Sequence, residues 1–88
     1  EEIEIDIVAL NEKNKEVLFG ECKWKEKANA ENIVKKLVEK SKHINWNNEE
    51  RKESYAVFAK SFSKKIDKFE GSKVYCYDLN DIGKIIKH

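Results

Sequence analysis

The chain reads IEIDIVAL from Ile3 to Leu10 and EVLFGECKW from Glu16 to Trp24. Both runs are β-branched and apolar, and the polar NEKNK between them supplies turn chemistry, so the pattern predicts a β-hairpin. Symmetric pairing about that turn sets Val8 opposite Phe19, Asp6 opposite Glu21 and Glu4 opposite Lys23. Side chains alternate along a strand, so Glu4, Asp6, Val8 and Leu10 share one face while Ile3, Ile5, Ile7 and Ala9 share the other. Both faces are substantially apolar. That predicts a hairpin buried on both sides, in the middle of a layered α/β domain.

ENIVKKLVEKSKHI follows, with Ile33, Val34, Leu37, Val38 and Ile44 on one side and Lys35, Lys36, Lys40 and Lys42 largely off it. The spacing predicts an amphipathic helix, with Asn29 or Asn32 as its N-terminal cap. NWNNEERKE reads as a polar loop in which Glu50, Arg51 and Lys52 form a solvated charge run. SYAVFAK (54–60) is the third predicted strand, SFSKKIDKF (61–69) a short helix ending at Gly71, and KVYCYDL (73–79) the fourth strand. NDIGKIIKH closes the chain as a terminal helix weakened by Gly83. The order is β-β-α-β-α-β-α, and the strand–helix–strand crossover predicts that 16–24 and 54–60 are parallel neighbours. A first strand at an unprotected sheet edge further predicts chain upstream of it, or a partner such as a second copy pairing through that strand.

Composition adds limits. The 88 residues suffice for one domain spanning 1–88, and without an apolar run of membrane-spanning length or a leader the expectation is a soluble, cytoplasmic protein with no membrane partner. Cys22 and Cys76 lie in apolar runs without metal-ligand spacing, and read as buried reduced thiols. The net charge is +1, but it is unevenly placed: residues 1–24 carry −4 and residues 25–88 carry +5.

The acidic end coincides with the hairpin, and there the charges need a reason. Charged groups in a buried strand cost several kcal/mol each unless paired, and facing carboxylates repel. A divalent cation supplies one: carboxylates of Asp6 and Glu21, converging from adjacent strands, are a fitting oxygen donor set for Mg²⁺ or Mn²⁺. Lys23, on the same face, would then orient a water or stabilise charge developing on a phosphate. The alternative is a structural charge cluster in which Lys23 neutralises Glu4 and Glu21.

Asp6, followed on the next strand by Glu21-Cys22-Lys23, then an amphipathic helix and a parallel strand, resembles the PD-(D/E)xK nuclease core. EIDIVAL, LFGECKW, YAVFAKSF and YDLND together also resemble the nuclease-like C-terminal domain of archaeal AAA-type ATPases. The resemblance covers Glu4 to about Asp81. It implies a restriction-endonuclease-like mixed β-sheet flanked by helices, from which the N-terminal part of the core, a helix that supplies a further acid in many members, is missing. It also implies that this is the C-terminal piece of a longer chain, with an ATPase domain in the same polypeptide and DNA as a partner. Asp6 and Glu21 would bind the metal with the backbone carbonyl of Cys22, and Lys23 would assist the attacking water. The activity implied is metal-dependent hydrolysis of a nucleic-acid backbone. The alternative is a non-catalytic nucleic-acid-binding, regulatory or protein-interaction module.

Lys35, Lys36, Lys60 and Lys64 are the candidate phosphate contacts, against the commoner reading of a solvated face. Trp24 and Trp46 offer ring faces to bases, but packing at a strand end or beside a helix is the reading taken. His43 and His88 lack partners at ligand spacing and read as surface residues.

Overall fold

The computed structural model describes residues 3–86. Strand β1 (Ile7–Asn11) turns into β2 (Glu16–Lys23), and the two pair antiparallel with Val8 opposite Phe19, the predicted register. A two-residue strand, β3 (Ala28–Asn29), leads into helix α1 (Ala30–Ser41). Asn29 is the cap: its side-chain oxygen accepts from the Asn32 amide at 3.0 Å. Strand β4 (Lys52–Ala59) then runs parallel to β2, as the crossover predicts.

Next come β5 (Phe62–Lys64), β6 (Lys68–Phe69), β7 (Ser72–Tyr77) and α2 (Leu79–Ile86). The main sheet has the order β1-β2-β4-β7-β6, and β3 pairs with β5 in a small second sheet. The result is an α/β domain with a mixed five-stranded sheet and two helices. No helix among the described residues is long and apolar enough to cross a membrane.

The register sorts the sheet into two unlike faces. Val17, Phe19, Tyr55, Val57 and Val74 share the face toward α1, where Ile33, Val34 and Leu37 close over them. Burying each such side chain contributes roughly 1.5–3 kcal/mol. Phe19 and Tyr55 stack at the centre with ring centroids 6.0 Å apart. The other face carries Leu18, Gly20, Ala56, Phe58, Tyr75 and Tyr77. Gly20 is required there: a Cβ would sit 2.9 Å from the Cβ of Ile7 on the facing strand, closer than packed carbons approach.

Several expectations are corrected. Strand β1 begins at Ile7 and lies at the sheet's edge, exposed along its whole length, not at the middle of the domain. It pairs only with β2, while α1 packs over β2 and β4, so its apolar faces meet no covering layer among the described residues. The segment 61–69 is not a helix. Phe62, Ile66 and Phe69 recur at helical spacing, but all three pack against the core from strand and loop geometry, because pairing with β3 draws 62–64 into an extended conformation. Helix α1 stops at Ser41, short of the predicted Ile44, and β4 starts earlier than predicted, at Lys52. Cys22 is exposed and Cys76 half-buried, and both are free thiols. His43 is at the surface, as expected; His88 lies outside the described residues.

The largest correction concerns Arg51. Its side chain is only 3% exposed, and it ion-pairs with Glu53 at 2.7 Å. Its guanidinium donates to the carbonyls of Ser41 (2.8 Å), Ile44 (2.7 Å) and Trp46 (3.1 Å), and sits 5.4 Å from the Phe19 ring centroid. Glu53 also accepts from the Tyr55 hydroxyl at 2.8 Å. Burial, then that hydrogen bond, pushes the Tyr55 phenol up to about 12. At the far end of the sheet Lys65 bridges Asp78 (3.2 Å) and Asp81 (2.6 Å), fastening α2 to the segment after β5.

Two outcomes are expected. Arg51→Ala should destabilise the fold by about 3–5 kcal/mol, because it removes the cationic partner of Glu53 together with three hydrogen bonds to carbonyls, and Arg51→Lys should recover little since an ammonium cannot reach all four groups. Urea unfolding of the two variants checks this. The Lys65 ammonium, with the Asp78 backbone amide, pulls the Asp81 carboxyl down from 3.8 to about 2. A depressed acid stabilises above its unfolded value and loses that contribution as pH falls, so stability should decline as the pH drops from 3.8 toward 2. Thermal melts of Lys65→Ala should show a shallower decline over that window.

Candidate functional site

In a sheet with parallel neighbours, the end where those strands finish is the place from which side chains and loops project together. Here that end holds Glu21 and Lys23 from β2, Lys60 after β4, and Asp6 just before the antiparallel β1. Asp6 is not part of the ladder. Its Oδ2 accepts from the Cys22 amide at 2.8 Å, so its carboxylate is held against the peptide joining Glu21 to Cys22. The N–H and C=O of one extended residue point to the same strand edge, so the Cys22 carbonyl also faces the side on which Asp6 lies.

Glu21 occupies the face turned toward α1, two positions beyond Phe19, and is 7% exposed. Lys23 approaches its Oε2 at 3.8 Å and Lys40 its Oε1 at 3.4 Å. Both contacts are longer than a strong charge-assisted hydrogen bond, which lies near 2.7–2.9 Å. The carboxylate is charge-balanced but not tightly held.

The structure therefore brings Asp6 and Glu21 to one end of the hairpin and seats Lys23 beside Glu21. Lys23 is not engaged with Glu4 in the described ion pairs, because the ladder ends at Ile7 and Glu4 lies beyond it. Lys36 is exposed and on the same side of α1 as Lys40, four residues on. Lys35 points elsewhere on the exposed surface of α1; Lys60 is half-buried and Lys64 exposed on β5. Lys40 was missed by the sequence reading, which counted it with the solvated lysines. Its signal was there: position 40 follows Ile33 and Leu37 at helical spacing, so it borders the buried stripe.

Trp46 packs against the core, as predicted, but Trp24 does not: it remains 51% exposed. It belongs to a cleft of about 290 Å³ whose lining includes Lys23, Lys25, Asn29, Asn32 and Lys36. A larger hollow, of about 880 Å³, lies at the opposite end of the sheet near Glu16, Lys52, Glu53 and Lys73, remote from Glu21 and of mixed charge. The smaller cleft is the one linked to Glu21, through Lys23. Among the described residues no group of three or more His, Cys, Asp or Glu side chains is placed to hold a metal ion. Any cation site here would rest on two carboxylates and backbone oxygen.

Comparison with known proteins places the chain near others without an assigned activity. Residues 1–36 match the model of a family described as Archaea bacterial proteins of unknown function. The chain is also similar to an uncharacterized protein of Methanocaldococcus jannaschii, 35% identical over 80 residues, which is 89% of this chain. The matched segment spans 17% of that relative's length. No solved structure matches.

The placement of the two cysteines gives a direct check on this end of the sheet. Cys76 is half-buried, its thiol is pushed up by burial, and its Sγ donates to the Ile66 carbonyl at 3.5 Å. Thiolate reagents at neutral pH should therefore modify Cys22 in a fast phase and Cys76 much more slowly. Cys22→Ser should remove the fast phase.

Proposed function

We propose that this domain is a PD-(D/E)xK-type phosphodiesterase module acting on nucleic acid, with a restriction-endonuclease-like core. The observation that carries the reading is that the Asp6 carboxylate is held against the peptide between Glu21 and Cys22, with Lys23 beside Glu21. Sheet order supports it: the acid-bearing hairpin is joined through a helical crossover to a parallel strand, and the acids lie where the parallel strands end.

The donor set fits a hard divalent cation. Asp6, Glu21 and the Cys22 carbonyl are all oxygen donors of the kind Mg²⁺ and Mn²⁺ take, and the Asp6 carboxylate is open to solvent. Such an ion, when bound, lowers the pKa of a coordinated water and offsets charge on a phosphate. Lys23 would hold a water or a non-bridging phosphate oxygen next to Glu21, and Lys36, Lys40 and Lys60 would meet the flanking backbone charges.

A second reading keeps the nucleic acid and drops hydrolysis. Its support is that Glu21 already has two ammonium partners, Lys23 and Lys40, so its charge is compensated without a metal. The domain would then be a binding or regulatory module of a longer polypeptide, such as an ATPase.

Calorimetric titration of Mn²⁺ separates the two. The phosphodiesterase reading expects saturable binding in the wild type that is lost in Asp6→Ala and in Glu21→Gln, both of which should stay folded. Folded wild type that takes up no Mn²⁺ would leave the binding module as the reading of this domain.

A further inference from the structure

We infer that the cleft beside Lys23 is a binding subsite for an unpaired nucleotide of a single strand, with the Trp24 ring stacking on the base and Lys25 and Lys36 meeting the adjacent phosphates. The inference deepens the nucleic-acid reading above, and rests on it for the class of polymer.

Three observations converge. The first is that Trp24 is exposed although its backbone is held. The amide of Lys60 donates to the Lys25 carbonyl at 3.0 Å, the Ala28 amide donates to the Ser61 carbonyl at 2.9 Å, and the Lys27 amide donates to Ser61 Oγ at 2.8 Å. The segment carrying the indole is thus clamped on its C-terminal side to the β4–β5 connection. An indole on an anchored segment, still 51% exposed, is a preformed flat surface. Little ordering entropy remains to be lost when a ring stacks on it.

The second observation is the charge of the surroundings. Among the described residues the lining has Lys23, Lys25 and Lys36 as its charged groups and no carboxylate, although Asp and Glu make up 17 of the chain's 88 residues. Asn32 adds a side-chain amide able to donate to and accept from a base edge, and Asn29, whose oxygen caps α1, adds a donor. The N-terminus of α1 is not the anion site, since the Asn29 side chain already caps it. The lysines supply the attraction.

The third is position. Lys23 both lines the cleft and approaches Glu21, so a nucleotide stacked on Trp24 would hold a neighbouring phosphate in reach of the Asp6–Glu21 end of the hairpin. A volume of about 290 Å³ suits one nucleotide's base more than a groove-filling duplex, and only unpaired bases present a face to stack. An acidic peptide would satisfy the lysines but leave the indole without a flat partner.

The test uses the 88-residue chain in EDTA, so that no metal site contributes, and a fluorescently labelled oligothymidylate of about ten nucleotides, within the usual site size of a single-strand binder. Binding is expected, with quenching of tryptophan fluorescence. Trp24→Ala should weaken affinity about five- to 150-fold, the range of one lost base stack, and Trp24→Phe should retain most of it. Lys25→Ala and Lys36→Ala should each make the dependence of log K on log salt shallower by about 0.7. A duplex of the same length should bind more weakly than the single strand. The inference is overturned if the wild type shows no binding, if Trp24→Ala binds as well as the wild type, or if polyglutamate competes as effectively as unlabelled oligothymidylate. Its failure is separable from that of the phosphodiesterase reading, because the Mn²⁺ titration needs no oligonucleotide and this assay needs no metal.

Discussion

The buried guanidinium of Arg51 is the contact on which the layering of this domain depends. A helix that ends above a sheet leaves carbonyls with no partner, and the chain must then turn back to begin the next strand. Arg51 donates from one planar group to the Ser41 carbonyl at the helix end and to the Ile44 and Trp46 carbonyls in the turn beyond it, and directs its Nε to Glu53. The same group lies over Phe19, whose ring stacks on Tyr55. One side chain thereby joins the end of α1, the start of β4 and the centre of the core. Few residues could substitute, since the arrangement needs several donors in a fixed plane.

That anchoring also fixes where Glu21 lies. With Phe19 fixed against α1, alternation carries Glu21 onto the same face, where Lys40 from the helix reaches it. Lys23 follows by the same alternation. The acid sits where the covering helix gives way to solvent, which explains both its low exposure and its long contacts to two ammonium groups. Asp6 is held differently, by a backbone amide of β2, and so its place depends on the hairpin register and not on the core.

The two sheet faces also divide the domain's surfaces. One is filled by α1, and the other presents Phe58, Tyr77 and Tyr75 in a stacked row with centroids 5.4 and 6.4 Å apart. Apolar content on β1 follows the same logic: it reads as a buried strand because its residues are apolar on both sides, yet Val8 and Leu10 are 42% and 49% exposed. An apolar pattern records that a surface is suited to being covered. It does not record what, within a given stretch of chain, covers it.

What the sequence determined by itself was local or nearly so. The hairpin and its register, the Asn29 cap, the helix and its apolar stripe, and the parallel relation of β2 and β4 all follow from two-residue alternation, 3.6-residue periodicity and the handedness of crossovers. The grouping of Asp6, Glu21 and Lys23 at one strand end was legible for the same reason. Tertiary structure alone decided which long cations turn inward, so Arg51 and Lys40 were misread as solvent-facing: an arginine or lysine near a loop or helix end can reach water or a carbonyl, and only the packed neighbours select between them. It also decided the fate of 61–69, where spacing suited a helix but a partner strand distant in sequence offered backbone hydrogen bonds instead. Trp24 belongs with these. Whether an indole at a strand end is packed or presented depends on whether another layer arrives above it, and that is a non-local fact of the fold.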